Sequence, residues 1–286
     1  MADRMSTIAI IGAGELGSTL AFTLARRNHI DAIKLIDSSE GIAEGQALDI
    51  SQAGPIEGFR TAIKATGNLS EVVGADVIVL THPAKPSKDQ GSCDEELVTV
   101  CQLVKYNPHA TIVCAEADHR ILIARGLNEA GVAREKLIGS APGALVSTLR
   151  VIIATEAGCS PSNVSISIHG VPPEHVVVAW SSATIDGRPI ENVFNPPALV
   201  RVRARIANLW PLGPYALASA GSLVCEAIAT DSCKLALTCF AAADKTSKAG
   251  IVTAAVRLGQ GGIREIVEPV LSPIEQVQLE TALNKA

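Results

Sequence analysis

The sequence predicts an α/β fold: a doubly wound parallel sheet followed by a smaller α+β unit. Three observations lead there. Residues 7–37, TIAIIGAGELGSTLAFTLARRNHIDAIKLID, give an apolar run, a glycine turn, a small-residue helical segment and a second apolar run. Further short β-branched runs, ADVIVLT (75–81) and ATIVCA (110–115), are too continuously apolar for a half-exposed strand and suit a sheet covered on both faces. Beyond GSAPG (139–143) the pattern changes to alternating strands and long helices.

In the opening stretch, Ile8, Ala9, Ile10 and Ile11 form a strand that meets Gly12, Gly14 and Gly17. The first glycine permits a tight bend, the second lets backbone approach a pyrophosphate, and the third lets the helix pack closely on the strand. Glu15 and Leu16 then open a helix whose positive end faces the bound phosphate. Asp37 lies 20 residues beyond Gly17, at the end of the second strand, where a carboxylate accepts hydrogen bonds from both ribose hydroxyls of an adenosine. It would repel a 2′-phosphate, so the expected cofactor is NAD rather than NADP.

The next elements complete a dinucleotide-binding domain, expected over residues 1–141. Residues 38–53 are helical, with Ile42, Ala43, Ala47, Leu48 and Ile50 on the apolar side. A short strand at 62–65 precedes the buried strand 75–81, whose end lies on the edge of the sheet where ligands bind, which makes Thr81, His82 and Pro83 cofactor candidates. The polar loop HPAKPSKDQGSCDEE follows and is placed to act as a substrate lid, leading into a helix at 95–106. The strand at 110–115 exits into Glu116, Asp118 and His119, before a helix at 121–130 and a strand at 136–138.

A substrate domain is expected over residues 142–286. It begins with a helix at 145–157. In SPSNVSISIHG, Val164, Ile166 and Ile168 alternate with Ser165, Ser167 and His169, predicting one half-exposed strand. Another strand spans 176–183, and ATIDG turns into further β structure. Helices are expected at 198–208 and 215–230, then strands at 234–241 and 251–258. Gly259, Gly261 and Gly262 offer either a phosphate loop or a hairpin turn, and the strands on both sides favour the hairpin. A terminal helix at 273–283 starts at Ser272 with Glu275 three residues on, a capping box.

Composition narrows the function classes. With 286 residues, 48% of them apolar and 19% charged, the chain has material for one large core or two moderate ones. A net charge of −5 leaves no basic footprint for nucleic acid, and no apolar run is long enough to span a membrane. No secretory signal pattern opens the chain, and the seven cysteines lack CxxC or His-paired spacing, so reduced thiols in a cytoplasmic protein without a metal site are expected.

Order and spacing along nearly the whole chain resemble the lactate/malate dehydrogenase family. The marks are GAGELG with Asp37, EGQALDIS, ADVIVLT with Lys85-Pro86 after it, REKLIG, IHG followed by WSSATIDG, and VRLGQGGIREIVEPVLSPIE. The resemblance implies a small-molecule substrate, a homodimer or homotetramer, and proton transfer by His169 while nicotinamide exchanges hydride with the same carbon. A histidine suits that role because its ordinary pKa lies near neutrality. From the residues alone, His169 equally fits a surface histidine on an alternating strand.

Departures from the family pattern fall on the substrate side. The lid arginines of a PRKPGxxR pattern become PAKPSKDQGSC, with Ala84 at one position and Gln90 or a neighbour at the other. In ALVSTLR, Leu145 and Thr148 stand where the family has the aspartate behind the histidine and the arginine that forks onto the substrate carboxylate, leaving Arg150. The TNPxD turn becomes AEADH, with Glu116 in the asparagine's place beside the cofactor. A guanidinium grips a carboxylate with two parallel hydrogen bonds, which leucine and threonine cannot reproduce. Two readings follow: an NAD-dependent oxidoreductase for an altered hydroxy or oxo compound held by Lys85, Lys88 or Thr148, or a catalytically silent NAD-binding scaffold. A replacement carboxylate would come from Glu116, Asp118 or Glu174.

Overall fold

The computed structural model describes residues 6–85, 93–206, 209–243 and 250–285. Its first half is β1 (Thr7–Ile11), α1 (Glu15–Arg27), β2 (Ala32–Ile36), α2 (Glu40–Glu57), β3 (Ala62–Thr66), β4 (Val77–Leu80), α3 (Cys93–Tyr106), β5 (Thr111–Cys114), α4 (Arg120–Asn128) and β6 (Leu137–Gly139). These strands pair in parallel in the order β3-β2-β1-β4-β5-β6. That is the doubly wound arrangement, and strand order reverses between β1 and β4. Every residue of β4 and β5 is buried, the reason these runs are apolar without alternation.

The second half contains α5 (Ala141–Ala157), β7 (Val164–Ser165), β8 (Ile168–Val171), β9 (His175–Val178), β10 (Thr184–Ile185), β11 (Arg188–Pro189), α6 (Ile190–Val193), α7 (Pro196–Ile206), α8 (Pro214–Ala229), β12 (Ala236–Ala242), β13 (Ile251–Gly259), β14 (Gly262–Val267) and α9 (Pro273–Lys285). β12 joins the edge of β6 in antiparallel fashion, and β13, β8 and β9 extend the same sheet. At that seam Gly139 is needed for contact: a Cβ there would lie 2.8 Å from Ile123 Cδ1 and from Phe240 Cβ. Gly259 faces Gly262 across the β13–β14 hairpin, so the glycine-rich GQGG is a turn.

Two apolar cores result. The larger joins the parallel strands to α1, to Leu217, Val224 and Ile228 of α8, and to Phe240 and Val256. The smaller gathers Leu145, Leu149 and Ile153 of α5 with Val164, Ile168, Ile185, Phe194 and Val202. Trp210 and Leu212 border both. Among the described residues no helix is long and apolar enough to cross a membrane.

Five sequence expectations change in detail. Residues 164–169 are two strands in two sheets, β7 pairing with β10 and β8 with β9 and β13. All four residues of β8 are buried, His169 at 5% exposure, because α9 packs over β8 and β9. The strand expected at 176–183 ends at Val178 and gives way to a tight helical turn at Trp180–Ser182. α5 begins at Ala141, inside GSAPG, and Leu48 points outward at 60% exposure while Ala43, Ala47 and Ile50 are buried.

The α9 capping box has a second duty. Glu275 accepts from Ser272 N (2.8 Å) and Ser272 Oγ (2.9 Å), and also from Ser181 N (2.9 Å) and Ser181 Oγ. The carboxylate therefore ties the end of the Trp180–Ser182 turn to the start of α9. Burial pushes Glu275 up, but the Ser181 and Ser272 donors outweigh it and bring it down to about 2. A depressed folded-state pKa stabilises the fold above the ordinary glutamate range, and that stability is lost as pH falls toward about 2. Glu275→Gln is expected to lower stability at neutral pH by roughly 2–3 kcal/mol. In thermal melts across an acid series the gap to wild type should close over that window, and a pH-independent gap would contradict this role.

Candidate functional site

The site begins where β1 ends. Gly12 takes φ +99°, and its N–H donates to Ile36 O at 2.8 Å. A Cβ on Gly12 would lie 2.5 Å from the carbonyl oxygens of both Thr81 and His82, one on Gly14 2.7 Å from His82 O, and one on Gly17 2.0 Å from Gly12 O. No side chain is accommodated at any of the three. Gly14 N donates to His82 O at 3.2 Å, and Thr81 Oγ1 donates to the Ile11 and Gly12 carbonyls at 3.0 and 2.9 Å. The turn is thereby fastened to the exit of β4, with the N-terminus of α1 and its N–H groups that lack intrahelical partners facing the crevice. Glu15 is exposed at the first helical position and Leu16 is buried beneath it.

Asp37 is buried at the end of β2. Its Oδ2 accepts from Ala13 N (2.7 Å) and Ala84 N (2.8 Å), and its Oδ1 from Ser39 N (2.7 Å). Oδ1 keeps acceptor capacity beyond its single bond. Asp37 lines one cavity with Gly12, Ser38, Thr81 and Pro83. Gly14, Glu15, Leu16, His82, Pro83 and Glu116 line a second, together with Leu212, Pro214 and Leu217. Pro83 borders both. The expected cofactor residues thus gather along one crevice, and a backbone cradle that tolerates no Cβ beside a buried carboxylate fits a dinucleotide diphosphate and ribose.

A polar cluster adjoins this crevice. Glu116 Oε1 accepts from His82 N at 3.0 Å and lies 3.2 Å from His82 Nδ1. Glu96 Oε1, from α3, lies 3.6 Å from His82 Nε2 and 3.4 Å from His119 Nε2. The two imidazoles meet edge to face with centroids 5.8 Å apart. The nearby Glu96 carboxylate raises His82 above the usual histidine value against the opposing effect of burial, with Glu116 and Asp118 adding to the rise. Burial pushes Glu96 up, but His119 and His82 outweigh it and hold the carboxyl at about 2. His119, at 2% exposure, has no hydrogen bond to either ring nitrogen among the described residues. Sequence spacing did not single out Glu96. Only the position of His119 at the exit of a strand, beside Glu116 and Asp118, hinted at the cluster.

His169 lines a cavity with Thr253, Leu279 and Leu283. Its Nε2 lies 3.3 Å from Ser167 Oγ. Burial lowers the His169 pKa, and the charge of Glu275 opposes that effect. Leu145 is buried in the smaller core, and Thr148 donates to Ala144 O (3.0 Å) within α5. Lys85, Asp118 and Glu174 are exposed, and Lys88 and Gln90 lie outside the described residues.

Residues 6–124 match the family of the lactate/malate dehydrogenase, NAD binding domain. A malate dehydrogenase of Dehalococcoides mccartyi is 29% identical over 298 residues, covering 97% of this chain and 96% of that protein. One from Trichormus variabilis is 28% identical, covering 98% and 91%. Among solved structures, the lactate dehydrogenase from Cryptosporidium parvum complexed with lactic acid and nicotinamide adenine dinucleotide superposes with a TM-score of 0.88 at 25% identity, covering 100% of this chain and 96% of that one. The malate dehydrogenase from Salinibacter ruber shares the fold at a TM-score of 0.87, covering 98% and 94%. Similarity to lactate and malate dehydrogenases runs through both halves of the molecule, and residues 6–124 carry the match to the NAD-binding domain of that family.

Proposed function

We propose that this protein is an NAD-dependent oxidoreductase that interconverts a hydroxy and an oxo compound, with a substrate site changed from the family pattern. One observation carries the cofactor half: the glycine turn is sealed against the exit of β4 beside the buried Asp37. NAD supplies the hydride acceptor. The N-terminus of α1 opposes the diphosphate charge, and Asp37 holds the ribose and repels a 2′-phosphate. Leu145 in the core and Thr148 bonded within its own helix leave no guanidinium fork on α5, which disfavours an ordinary 2-keto acid and favours a neutral compound or one gripped by Lys85 or Lys88. His169 is the proposed acid/base, its burial favouring the neutral imidazole that accepts a proton during alcohol oxidation.

A second reading, a catalytically silent NAD-binding homologue, is favoured by Leu145 and Thr148 at the positions of the family's aspartate and arginine and by Ser167, not a carboxylate, as the hydrogen-bond partner of His169. Exposed Leu48 and Ile56 on α2 and Tyr215 and Leu223 on α8 support packing against a second copy, as a homodimer or homotetramer, and seven free thiols suit a reducing cytoplasm.

Fluorescence titration is expected to show NADH bound far more tightly than NADPH. Asp37→Ser should weaken NADH about 10- to 100-fold, in line with losing hydrogen bonds to a charged acceptor, and narrow the gap to NADPH. Failure to bind either nucleotide would remove both readings. Across a panel of hydroxy compounds with NAD, oxidation should rise with pH through a midpoint below 6.5. His169→Ala should abolish that profile; tight NADH binding with no turnover on any compound would select the silent homologue.

A further inference from the structure

We propose that His82, Glu96 and His119 form a binding site for one divalent transition-metal ion of the Zn2+ or Co2+ class. The ligands are one nitrogen from each imidazole and one carboxylate oxygen of Glu96. Three features of the cluster converge on this assignment.

The first is convergence of the donors. Potential ligand atoms of the three side chains all lie within 4.8 Å of one another, and Glu96 Oε1 stands 3.6 Å from His82 Nε2 and 3.4 Å from His119 Nε2. Tetrahedral zinc with bonds of about 2.0–2.2 Å to nitrogen and oxygen separates neighbouring ligands by roughly 3.3–3.5 Å. The two measured pairs are therefore already near coordination spacing. A hydrogen-bonded triad would instead draw its partners to about 2.7–2.9 Å.

The second feature is His119. Almost fully buried, it leaves both ring nitrogens without a hydrogen bond, a costly state for a polar side chain in an interior. Its Nε2 is turned toward Glu96, and a metal ion between them supplies a partner for that nitrogen, leaving only Nδ1 without one. The third is the setting of His82, whose Nδ1 faces Glu116 Oε1 at 3.2 Å. A ligating imidazole characteristically gives its second N–H to a carboxylate, which fixes the tautomer and directs the other nitrogen at the metal. Glu116 stands in that outer position.

Two nitrogens and one oxygen form a borderline donor set that suits zinc or cobalt better than the all-oxygen preference of magnesium or calcium. Three protein ligands leave a fourth position. Glu96 and His119 line the cavity that also contains Gly12 and Asp37, so that position faces the proposed adenosine side of the crevice, where water or a ligand oxygen completes the shell. The cluster escaped the sequence because its members come from the exit of β4, from α3 and from the residue before α4, with none of the short spacings that mark a local metal motif.

The test uses the full-length protein stripped with chelator. Zn2+ is titrated against a chromophoric competitor, and Co2+ is followed by its visible ligand-field absorption. Wild type should bind one equivalent with the spectrum of low-coordinate Co2+ and melt at higher temperature with metal than without. Glu116→Gln should weaken binding about 10- to 100-fold, and His82→Ala and Glu96→Gln by more than about 100-fold, while the surface change His109→Ala has no effect. Glu96→Gln preserves shape and His82 is partly exposed, so these two carry the result if His119→Asn fails to fold. No bound equivalent in wild type overturns the site. So does affinity unchanged in both Glu96→Gln and His82→Ala, which would assign the metal to the free thiols. Metal is measured directly, without turnover, so the outcome stands apart from that of NADH binding.

Discussion

The structure depends on the close approach between the glycine turn and the exit of β4. Gly12 and Gly14 meet the carbonyls of Thr81 and His82 at distances where no Cβ fits, and Gly14 N and Thr81 Oγ1 bond across the gap. With these contacts in place, the N-terminus of α1 faces the crevice at the strand-order reversal. Asp37 adds a second clasp by holding Ala13 N and Ala84 N on one oxygen. The same approach fixes the backbone of His82 between Gly14 and Glu116, so the geometry of the polar cluster follows from that of the turn.

The other half of the molecule is organised around packing rather than charge. β12 extends the parallel sheet by pairing with β6, which lets α8 lie on α1: a Cβ on Gly221 would meet Leu20 Cδ1 at 2.7 Å. α5 presents one face to each core, so Leu145 is held by aliphatic neighbours where the family pattern has a carboxylate. A charge at that position would have to be buried without a partner, which is strongly unfavourable. Leucine at position 145 is thus in keeping with the core around it.

Legibility in the sequence followed the range of the interaction. Local signals were sufficient for β1, the glycine turn, α1 and β2, because tight backbone contacts demand glycine whatever the neighbours are. β4 and β5 were evident from unbroken apolar runs, and the α9 cap from Ser272 and Glu275. The split of residues 164–169 between two sheets was hidden because the alternation of period two continues through the break. The burial of His169 depends on α9, more than a hundred residues away in sequence. His82, Glu96 and His119 meet only through the tertiary fold, so their assembly had no local signature. Spacing makes Asp37 a candidate ribose acceptor, but its hold on Ala84 has no local signature, since that bond links positions 47 residues apart.

The crevice is proposed to hold NAD between the glycine turn and Asp37. A crystal structure of the protein grown with NADH tests it most directly. The predicted result places the diphosphate at the N-terminus of α1 against Gly12 and Gly14, with the adenosine ribose within hydrogen-bond distance of Asp37. Dinucleotide bound elsewhere on the protein, or a ribose held away from Asp37, would contradict it.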